Sequence, residues 1–381
     1  MSLYETISTE YDRLGLVRVP LALERMISSV GCHIINMSNL ADKRFYHGGN
    51  LENFRMCTVF MAPSGYSKSQ HFGFFLNNRS GILAKSGVQI SLRGTFSQES
   101  WMGTISNGEA SKGIFSTHKQ GIVGADEFMR LGNMMNDVGT NNDEVYLMKA
   151  LDSDIVTKDL AYGQIEEADI GMTFWAGMRP SILGLKSGLA RRFTFQIFLP
   201  TIKDSVAFRK ASREGKMCTR VSEEAQNQVT QDILKILEAI KPIDKINYKE
   251  IEDWVDKKGF IPHFEEVIFK RLAVGWAIVN GTFPDIHITP PLERLLEDEI
   301  SSRDIIRSNP EMEAIRRVLK ASGKVKDGNL RKFLEKNYQL HKVQVDALMK
   351  EMYRREELKM EDEWVTLKET ETHELHFEEP A

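Results

Sequence analysis

The sequence predicts an α/β fold with a parallel β-sheet at its core, and two apolar segments are the main evidence. Residues 57–61 suit a buried strand that breaks into a loop of small residues before a helix-compatible segment. Residues 121–125 are a second buried-strand candidate, and a helix and a short strand at residues 88–92 are expected between the two. Strands that alternate with helices along the chain are typical of a parallel sheet.

The loop after the first strand has the layout of a phosphate-binding loop, G-x-x-x-x-G-K-[ST], with Ala62 and Ser67 at the two glycine positions. In such a loop, backbone N–H groups and the positive end of the following helix bind phosphates. Lys68 is expected to reach the outer phosphates, and the Ser69 hydroxyl is expected to hold Mg²⁺. An ordinary strand–loop–helix corner is the alternative. The loop residues predicted to contact the nucleotide are Pro63, Ser64, Gly65, Tyr66, Ser67, Lys68, Ser69 and Gln70.

The second strand ends in two adjacent acids, Asp126 and Glu127. Ligands of a parallel sheet gather at the carboxyl ends of its strands, so these side chains are expected beside the loop. Asp126 is predicted to hold Mg²⁺ through water, and Glu127 is predicted to orient and activate the attacking water. A strand that ends in a solvated Asp-Glu pair is the alternative.

Three arginines accompany two later strands. Residues 170–177 suit a buried strand whose carboxyl end puts Arg179 at the same sheet edge, as a nucleotide contact that senses the γ-phosphate; a surface arginine before a turn proline is the alternative. Arg191 and Arg192 directly precede the strand expected at residues 193–199. An arginine supplied by a neighbouring subunit neutralises charge in the transition state of phosphoryl transfer, and this pair suits that role.

Four segments together resemble an AAA+-like P-loop NTPase: residues 62–69, 121–127, 174–180 and 187–193. The last is similar to the L-x-R-F segment of minichromosome maintenance helicases. The order and spacing also resemble the P-loop ATPases of plasmids, phages and integrated elements that lie beside primases. The resemblance covers about residues 20–290.

By this resemblance the loop and the acid pair carry the Walker A and Walker B roles, with ATP and Mg²⁺ as ligands. Arg192 is the trans arginine finger, and Arg191 is the alternate finger. The family usually has a polar sensor where this chain has Gly177, Met178 and Arg179, so the chain departs from the family there.

Four regions follow from these patterns: an N-terminal helical segment (1–50), the ATPase core (51–204), a helical lid (205–305) and a winged helix (306–381). Within the lid, helices are expected at residues 222–240 and 264–279. Residues 205–222 are expected to form a mobile loop, with DNA contact as an alternative for its cations. These cations are Arg209, Lys210, Arg213 and Lys216.

The winged-helix prediction rests on three amphipathic helices, around Met312, Leu330 and Val345, followed by a hairpin at residues 357–367. DNA contact through the third helix is one interpretation, and docking of another protein is the other. The side chains expected to face phosphates are Lys342, Gln344, Lys350, Arg354 and Arg355.

Composition restricts the remaining possibilities. The 381 residues carry a net charge of −4, so nucleic-acid contact requires a local basic patch. Cys32, Cys57 and Cys218 lie far apart and form no C-x-x-C pair, which favours a reducing cytosol over a disulfide framework or zinc site. The longest apolar run is too short to span a bilayer, so a cytoplasmic protein without membrane contact is expected.

The sequence therefore predicts an ATP-dependent DNA motor, a replicative helicase-like AAA+ ATPase of a mobile element. It is expected to act as a hexamer-like ring that hydrolyses ATP at subunit interfaces, with a primase or other replication proteins as further partners. The alternative is a nucleotide-gated DNA-binding or loader protein with little hydrolysis, because Ser67 replaces a glycine. A P-loop fold that binds no nucleotide is the third reading.

Overall fold

The computed structural model describes residues 2–37, 45–47, 50–106, 109–136, 142–152, 155–160, 163–181, 183–185, 188–216, 220–240 and 246–368. Of the residues discussed above, Ser187 and Cys218 lie outside these ranges, as does the end of the predicted winged helix after residue 368.

The strands in chain order are β1 (Phe45–His47), β2 (Asn50–Glu52), β3 (Cys57–Met61), β4 (Ile90–Arg93), β5 (Gly103–Ser106), β6 (Glu109–Lys112), β7 (Ile122–Ala125), β8 (Val156–Leu160), β9 (Gly163–Glu167), β10 (Thr173–Met178), β11 (Phe193–Ile197), β12 (Lys324–Lys326), β13 (Leu358–Glu361) and β14 (Trp364–Leu367).

The helices are α1 (Leu3–Arg13), α2 (Ala22–Met37), α3 (Lys68–Leu76), α4 (Gln98–Met102), α5 (Ile114–Thr117), α6 (Arg130–Met135), α7 (Asn142–Leu151), α8 (Ile202–Arg213), α9 (Glu223–Ile240), α10 (Lys249–Lys258), α11 (Glu266–Asn280), α12 (Pro290–Arg307), α13 (Pro310–Ser322), α14 (Asp327–Asn337) and α15 (Lys342–Arg354).

The central sheet has five strands in the order β11-β3-β10-β7-β4, and every neighbouring pair is parallel. The predicted α/β class is therefore confirmed, and the sheet is compatible with a P-loop-type core. The strand β3, which leads into the predicted phosphate loop, lies between β10 and β11. The strand β7, which ends before the acid pair, is separated from β3 by β10.

Helices cover both faces of this sheet, which explains why its strands appear in the sequence as continuous apolar runs. Side chains of a strand alternate between the faces. Phe60 and Trp175 belong to the core formed with α1, α2, α3 and α9–α12. Val59 and Phe174 belong to a second core, which extends to the C-terminal helices α13–α15.

The first core brings α2 and α11 together at two glycines. A Cβ on Gly31 would lie 2.3 Å from the carbonyl oxygen of Gly275, and a Cβ on Gly275 would lie 2.0 Å from that of Ser28. The backbones of the two helices are therefore in contact, and α2 is an integral part of the packed fold.

A buried ionic cluster joins α2 to α12. Arg25 and Glu299 are both 0% exposed, and the Arg25 guanidinium donates to the Glu299 carboxylate. Glu299 also accepts from Arg303 (2.8 Å) and from the backbone N–H of Phe195 in β11 (2.9 Å). Both carboxylate oxygens are thus satisfied, which buried charges require.

The C-terminal module, defined as residues 310–368, contains α13–α15 and the antiparallel sheet β12-β14-β13. The three predicted helices and the hairpin are confirmed, and β12 adds a strand that the sequence did not suggest. The module packs on the core, because the buried Tyr338 hydroxyl donates to the carbonyl of Pro200 (2.9 Å).

Several local predictions are wrong. Residues 95–105 are helix-compatible in sequence, but only α4 forms there; residues 107–113 suit a small-residue loop, but β6 forms there and pairs with β5. Residues 160–168 suit a polar connection, but residues 163–167 form β9, which pairs with β8. Residues 202–213, mostly predicted as a mobile loop, form α8. Its N-cap Thr201 and Asp204 form a reciprocal capping box, and Ser205, Phe208 and Ala211 bury one face of the helix.

Within the described part of the chain, no helix combines the length and apolarity that crossing a membrane requires.

Candidate functional site

The predicted phosphate loop connects β3 to α3 at the carboxyl edge of the sheet. Its backbone has two left-handed positions, Gly65 with a φ of 84° and Ser67 with a φ of 62°. Ser67 stands where the motif usually has glycine, and the geometry shows why: the chain must adopt a left-handed conformation there. The Ser67 carbonyl accepts from the backbone N–H of His71 and from its ring Nδ1, both at 2.9 Å.

Several backbone N–H groups of the loop have no hydrogen-bond acceptor among the described residues. Among the residues described, the N–H groups of Ser64, Gly65, Ser67 and Ser69 donate to no protein acceptor. The side chain of Ser67 gives α3 no cap. Unpaired donors at a helix N-terminus are suited to an anionic ligand with several oxygens.

Lys68 is buried, with 8% of its surface exposed, and its amine donates to the loop carbonyls of Ala62 and, at 3.2 Å, Pro63. Burial lowers the pKa of this amine to about 8, although the carboxylates of Glu127 and Asp126 act to raise it. A negatively charged ligand in the cavity would favour the charged amine, so Lys68 is ready to exchange its carbonyl partners for such a ligand.

Ser69 and Asp126 meet directly. The Ser69 hydroxyl donates to Asp126 Oδ2 at 2.7 Å, while Oδ1 is buried and has no hydrogen-bond partner. An orphaned carboxylate oxygen beside a hydroxyl fits a hydrated Mg²⁺, which binds proteins through one or two carboxylates and completes its shell with water and phosphate oxygens. The described residues contain no cluster of three or more His, Cys, Asp or Glu side chains that forms a metal site by itself.

Glu127 and Arg179 form the outer part of the site. Arg179 Nε lies 3.2 Å from Glu127 Oε1, and both side chains are about half exposed, at 45% and 52%. The predicted position of Arg179 at the carboxyl end of a strand beside the loop is confirmed. In this conformation the Glu127 carboxylate is paired with a cation, so it is not available as a base.

The loop and the acid pair surround one cavity of about 250 Å³, and Arg179, which was predicted as a nucleotide contact, is not among the residues that line it. Of the loop residues predicted as contacts, Pro63 is the exception: its carbonyl accepts from Lys68 and it does not line the cavity. The lining residues are Ser64, Gly65, Tyr66, Ser67, Lys68, Ser69, Gln70, Asp126 and Glu127.

Gly177 is a site residue that the sequence did not reveal. A Cβ at this position in β10 would lie 2.2 Å from the carbonyl oxygen of Asp126. The carbonyl of Gly177 accepts from the N–H of Phe128 at 2.7 Å. Glycine therefore allows the segment that carries Asp126 and Glu127 to lie directly against β10.

The two arginines before β11 lie at the opposite edge. The first residue of β11 pairs with the first residue of β3, whereas the loop follows the last residue of β3. Arg192 donates to the carboxylate of Asp152, with Nε 2.6 Å from Oδ1. Arg191 is exposed and lies 4.4 Å from the ring centroid of Phe264. Neither arginine can reach the cavity of its own chain.

Two of the four cations expected on the third C-terminal helix are paired with a carboxylate of that helix. Arg354 and Arg355 both donate to Glu351 at 2.7 Å, and these two guanidinium groups lower the pKa of Glu351 to about 2. Gln344 caps α15 by accepting from the N–H of His341 at 2.9 Å. Lys342 and Lys350 are exposed.

A second unpredicted contact joins the loop to the C-terminal module. The Tyr66 hydroxyl donates to Asn337 Oδ1 at 2.6 Å and also contacts Ser205 Oγ in α8. Ser205 Oγ lies 2.9 Å from the same Asn337 oxygen. The helices α9–α12, expected to include a lid, contribute none of the described residues that line the cavity.

No protein-family model matches the sequence, and no curated protein matches it either.

Proposed function

We propose that this protein binds ATP with Mg²⁺ in the cavity at the carboxyl edge of the sheet and hydrolyses it. One observation carries the proposal: Lys68, Ser69, Asp126 and Glu127 come from two separate strand ends and line one cavity. The loop supplies backbone donors and a buried cation, and the second strand end supplies carboxylates. This is the donor set that phosphoryl transfer uses.

Each side chain has a role in this proposal. The amine of Lys68 leaves the loop carbonyls and binds the outer phosphates. Ser69 and Asp126 hold Mg²⁺, which when bound neutralises charge on the phosphates. Glu127 accepts a proton from the attacking water once Arg179 turns from its carboxylate to the γ-phosphate. The separation of Arg179 from Glu127 is therefore the step that makes the site competent.

We further propose that the ATPase is an AAA+-like DNA motor that works as a ring, as in a helicase of a mobile element. Its C-terminal module has the helix and strand order of a winged helix, which supports contact with DNA. Arg191 and Arg192, remote from their own cavity, suit the site of a neighbouring subunit. Arg191 is the better placed of the two, because Arg192 is held by Asp152.

A nucleotide-gated DNA-binding protein with slow hydrolysis is the second candidate. Two observations favour it: the Glu127 carboxylate is paired with Arg179, and Ser67 adopts the left-handed conformation with a side chain. Under this alternative ATP binds with normal affinity, but turnover stays low even when DNA is present.

Binding and turnover, measured separately, test both candidates. Binding of a fluorescent ATP analogue should be lost in Lys68→Ala and retained in Glu127→Gln. Phosphate release, stimulated by single-stranded DNA, should be abolished in both. Lys85→Ala, which changes an exposed lysine outside the cavity, is the control. Unchanged turnover in both site variants rejects the site, and tight binding without turnover in the wild type selects the second candidate.

A further inference from the structure

A second cavity adjoins the phosphate loop, on the side of the C-terminal module. It has a volume of about 490 Å³, and Gly65 and Tyr66 of the loop line both cavities. One wall is α8, through Phe208 and Arg209, and the other is α14, through Phe333 and Lys336. The cavity is therefore a cleft between the core and the C-terminal module, and the phosphate loop lines it through Gly65 and Tyr66.

The cleft carries positive charge that the protein does not neutralise. In the described ranges Arg209 and Lys336 have no carboxylate partner, and Arg209 makes one hydrogen bond, from Nε to the Ser205 carbonyl at 3.3 Å. The nearest acid on α8, Asp204, is used in the cap at Thr201. Arg354, Arg355 and Arg192, in contrast, are held by carboxylates.

The cations are arranged in two rows. Arg213 follows Arg209 by four residues on α8, and Lys332 precedes Lys336 by four residues on α14, so each pair shares one face of its helix. All four are exposed, and none has a carboxylate partner within the residues that the structure describes. Arg209 and Lys336 line the cleft and the other two cations each lie one helical turn from them, which suits a ligand whose negative charges repeat along its length.

We propose that the cleft between α8 and α14 binds the phosphate backbone of single-stranded nucleic acid, with Arg209 and Lys336 as its principal contacts. The identification of the polyanion rests on the proposed function. The cleft has the volume of a small-molecule pocket, which is too small to enclose a duplex. Its wall includes the rings of Tyr66 and Phe208, whose centroids are 5.1 Å apart; both residues are only 6% exposed, so they shape the cleft and the strand is held through its phosphates.

The cleft adjoins the phosphate loop, so nucleic acid bound there would also contact this loop. A strand that enters the cleft lies close to Tyr66, which is part of the phosphate loop and joins α8 to Asn337 at this point. Bound nucleic acid would therefore act directly on the loop proposed to hold the nucleotide. Its effect on nucleotide binding would not need to pass through the central sheet.

Fluorescence anisotropy of a labelled single-stranded oligonucleotide, without nucleotide, tests this site. We expect Arg209→Ala/Lys336→Ala to weaken binding by about 10- to 30-fold near 0.1 M salt, and to reduce the slope of log K against log salt by about 1.4. The matched control is Arg18→Ala/Lys85→Ala, which removes one arginine and one lysine that are exposed, paired with carboxylates and outside the cleft, and should change affinity less than about twofold.

Wild-type affinity in the Arg209→Ala/Lys336→Ala variant overturns the proposal, as does an absence of oligonucleotide binding by the wild type. Binding of a fluorescent ATP analogue to the same variant should stay unchanged. If nucleotide binding falls while oligonucleotide binding does not, the cleft belongs to the nucleotide site and the proposal is wrong. A separate result would show that the proposed function is wrong: the wild-type protein would then bind no ATP analogue.

Discussion

The hydroxyl of Tyr66 and Oδ1 of Asn337 are 2.6 Å apart, which joins the tip of the phosphate loop to α14 of the C-terminal module. Asn337 Oδ1 is also the partner of Ser205 Oγ at 2.9 Å, so the loop, α8 and the module share one oxygen. The Asn337 side chain is also held by its own helix, because its Nδ2 donates to the Phe333 carbonyl at 3.0 Å. The loop and the module are therefore mechanically connected.

Tyr66→Phe and Asn337→Ala should therefore show coupled effects on stability. Each single change removes a partly buried hydrogen bond and is expected to lower the free energy of unfolding by about 1 kcal/mol. Because the two share the bond, the double variant should lose about 1 kcal/mol less than the sum of the singles, as measured by urea unfolding. Additive losses would show that the contact contributes nothing to stability.

Ser67→Gly should stabilise the protein. The left-handed backbone costs a residue with a side chain about 1 kcal/mol more than glycine, and part of this gain is offset because glycine is more flexible in the unfolded chain. We expect a gain of about 0.5 kcal/mol in thermal unfolding, with tighter binding of the ATP analogue. Ser67→Ala, which removes the hydroxyl but keeps the strain, is the control, and an equal gain there would refute this explanation.

Nucleotide affinity should fall at alkaline pH through Lys68. The pKa of its buried amine is lowered to about 8, so the amine is charged below that pH and loses its proton above it. Phosphates bind the charged amine, so affinity should be constant below about pH 8 and fall by up to about tenfold per pH unit above it. Equilibrium titrations of the ATP analogue between about pH 7.5 and 9.5 measure this, because ATP itself stays ionised there.

The matched variant for this pH profile is Lys68→Met, which has no titrating group at the position. Its residual affinity should be independent of pH. A wild-type profile as flat as that of the variant would mean that Lys68 does not bind the phosphates.

In Gly177→Ala, the rate of ATP turnover should fall further than a loss of folded protein would explain. Its Cβ would lie 2.2 Å from the carbonyl oxygen of Asp126, so the backbone that carries Asp126 and Glu127 must move. Displacement of catalytic groups by about 1 Å can reduce rates by about 100-fold. Gly171→Ala is the comparison, since the three atoms nearest to its Cβ would all belong to the side chain of Gln120 and not to backbone. Equal turnover in the two variants contradicts the expected role of Gly177.

The parts of the site that lie in continuous sequence were predictable. Lys68 and Ser69 follow a buried strand, and Asp126 and Glu127 follow another, so each signal is local. The strand order was not predictable, because pairing in a parallel sheet depends on contacts between distant segments. The bond from Tyr66 to Asn337 joins positions 271 residues apart, and neither residue type marks it in the sequence.

The errors in local structure have physical causes too. Strands β5, β6, β8 and β9 are short and partly polar, so they lack the apolar runs of the central sheet. The helix α8 has a narrow buried face of Ser205, Phe208 and Ala211 among exposed cations, which hides its amphipathic pattern. The signal that would have revealed it is the capping pair Thr201 and Asp204.

The buried pair of Arg25 and Glu299 also determines when the protein can complete its fold during synthesis. The two residues are 274 positions apart, so at ordinary rates of translation Arg25 leaves the ribosome on the order of 14 to 55 s before its partner. For most of that time α2 has neither Glu299 nor the glycine contact with α11, because α11 directly precedes α12 in the chain. The core around the central sheet therefore cannot complete its packing while it is being synthesised, and the first helices of the nascent chain must stay accessible until α12 has been made.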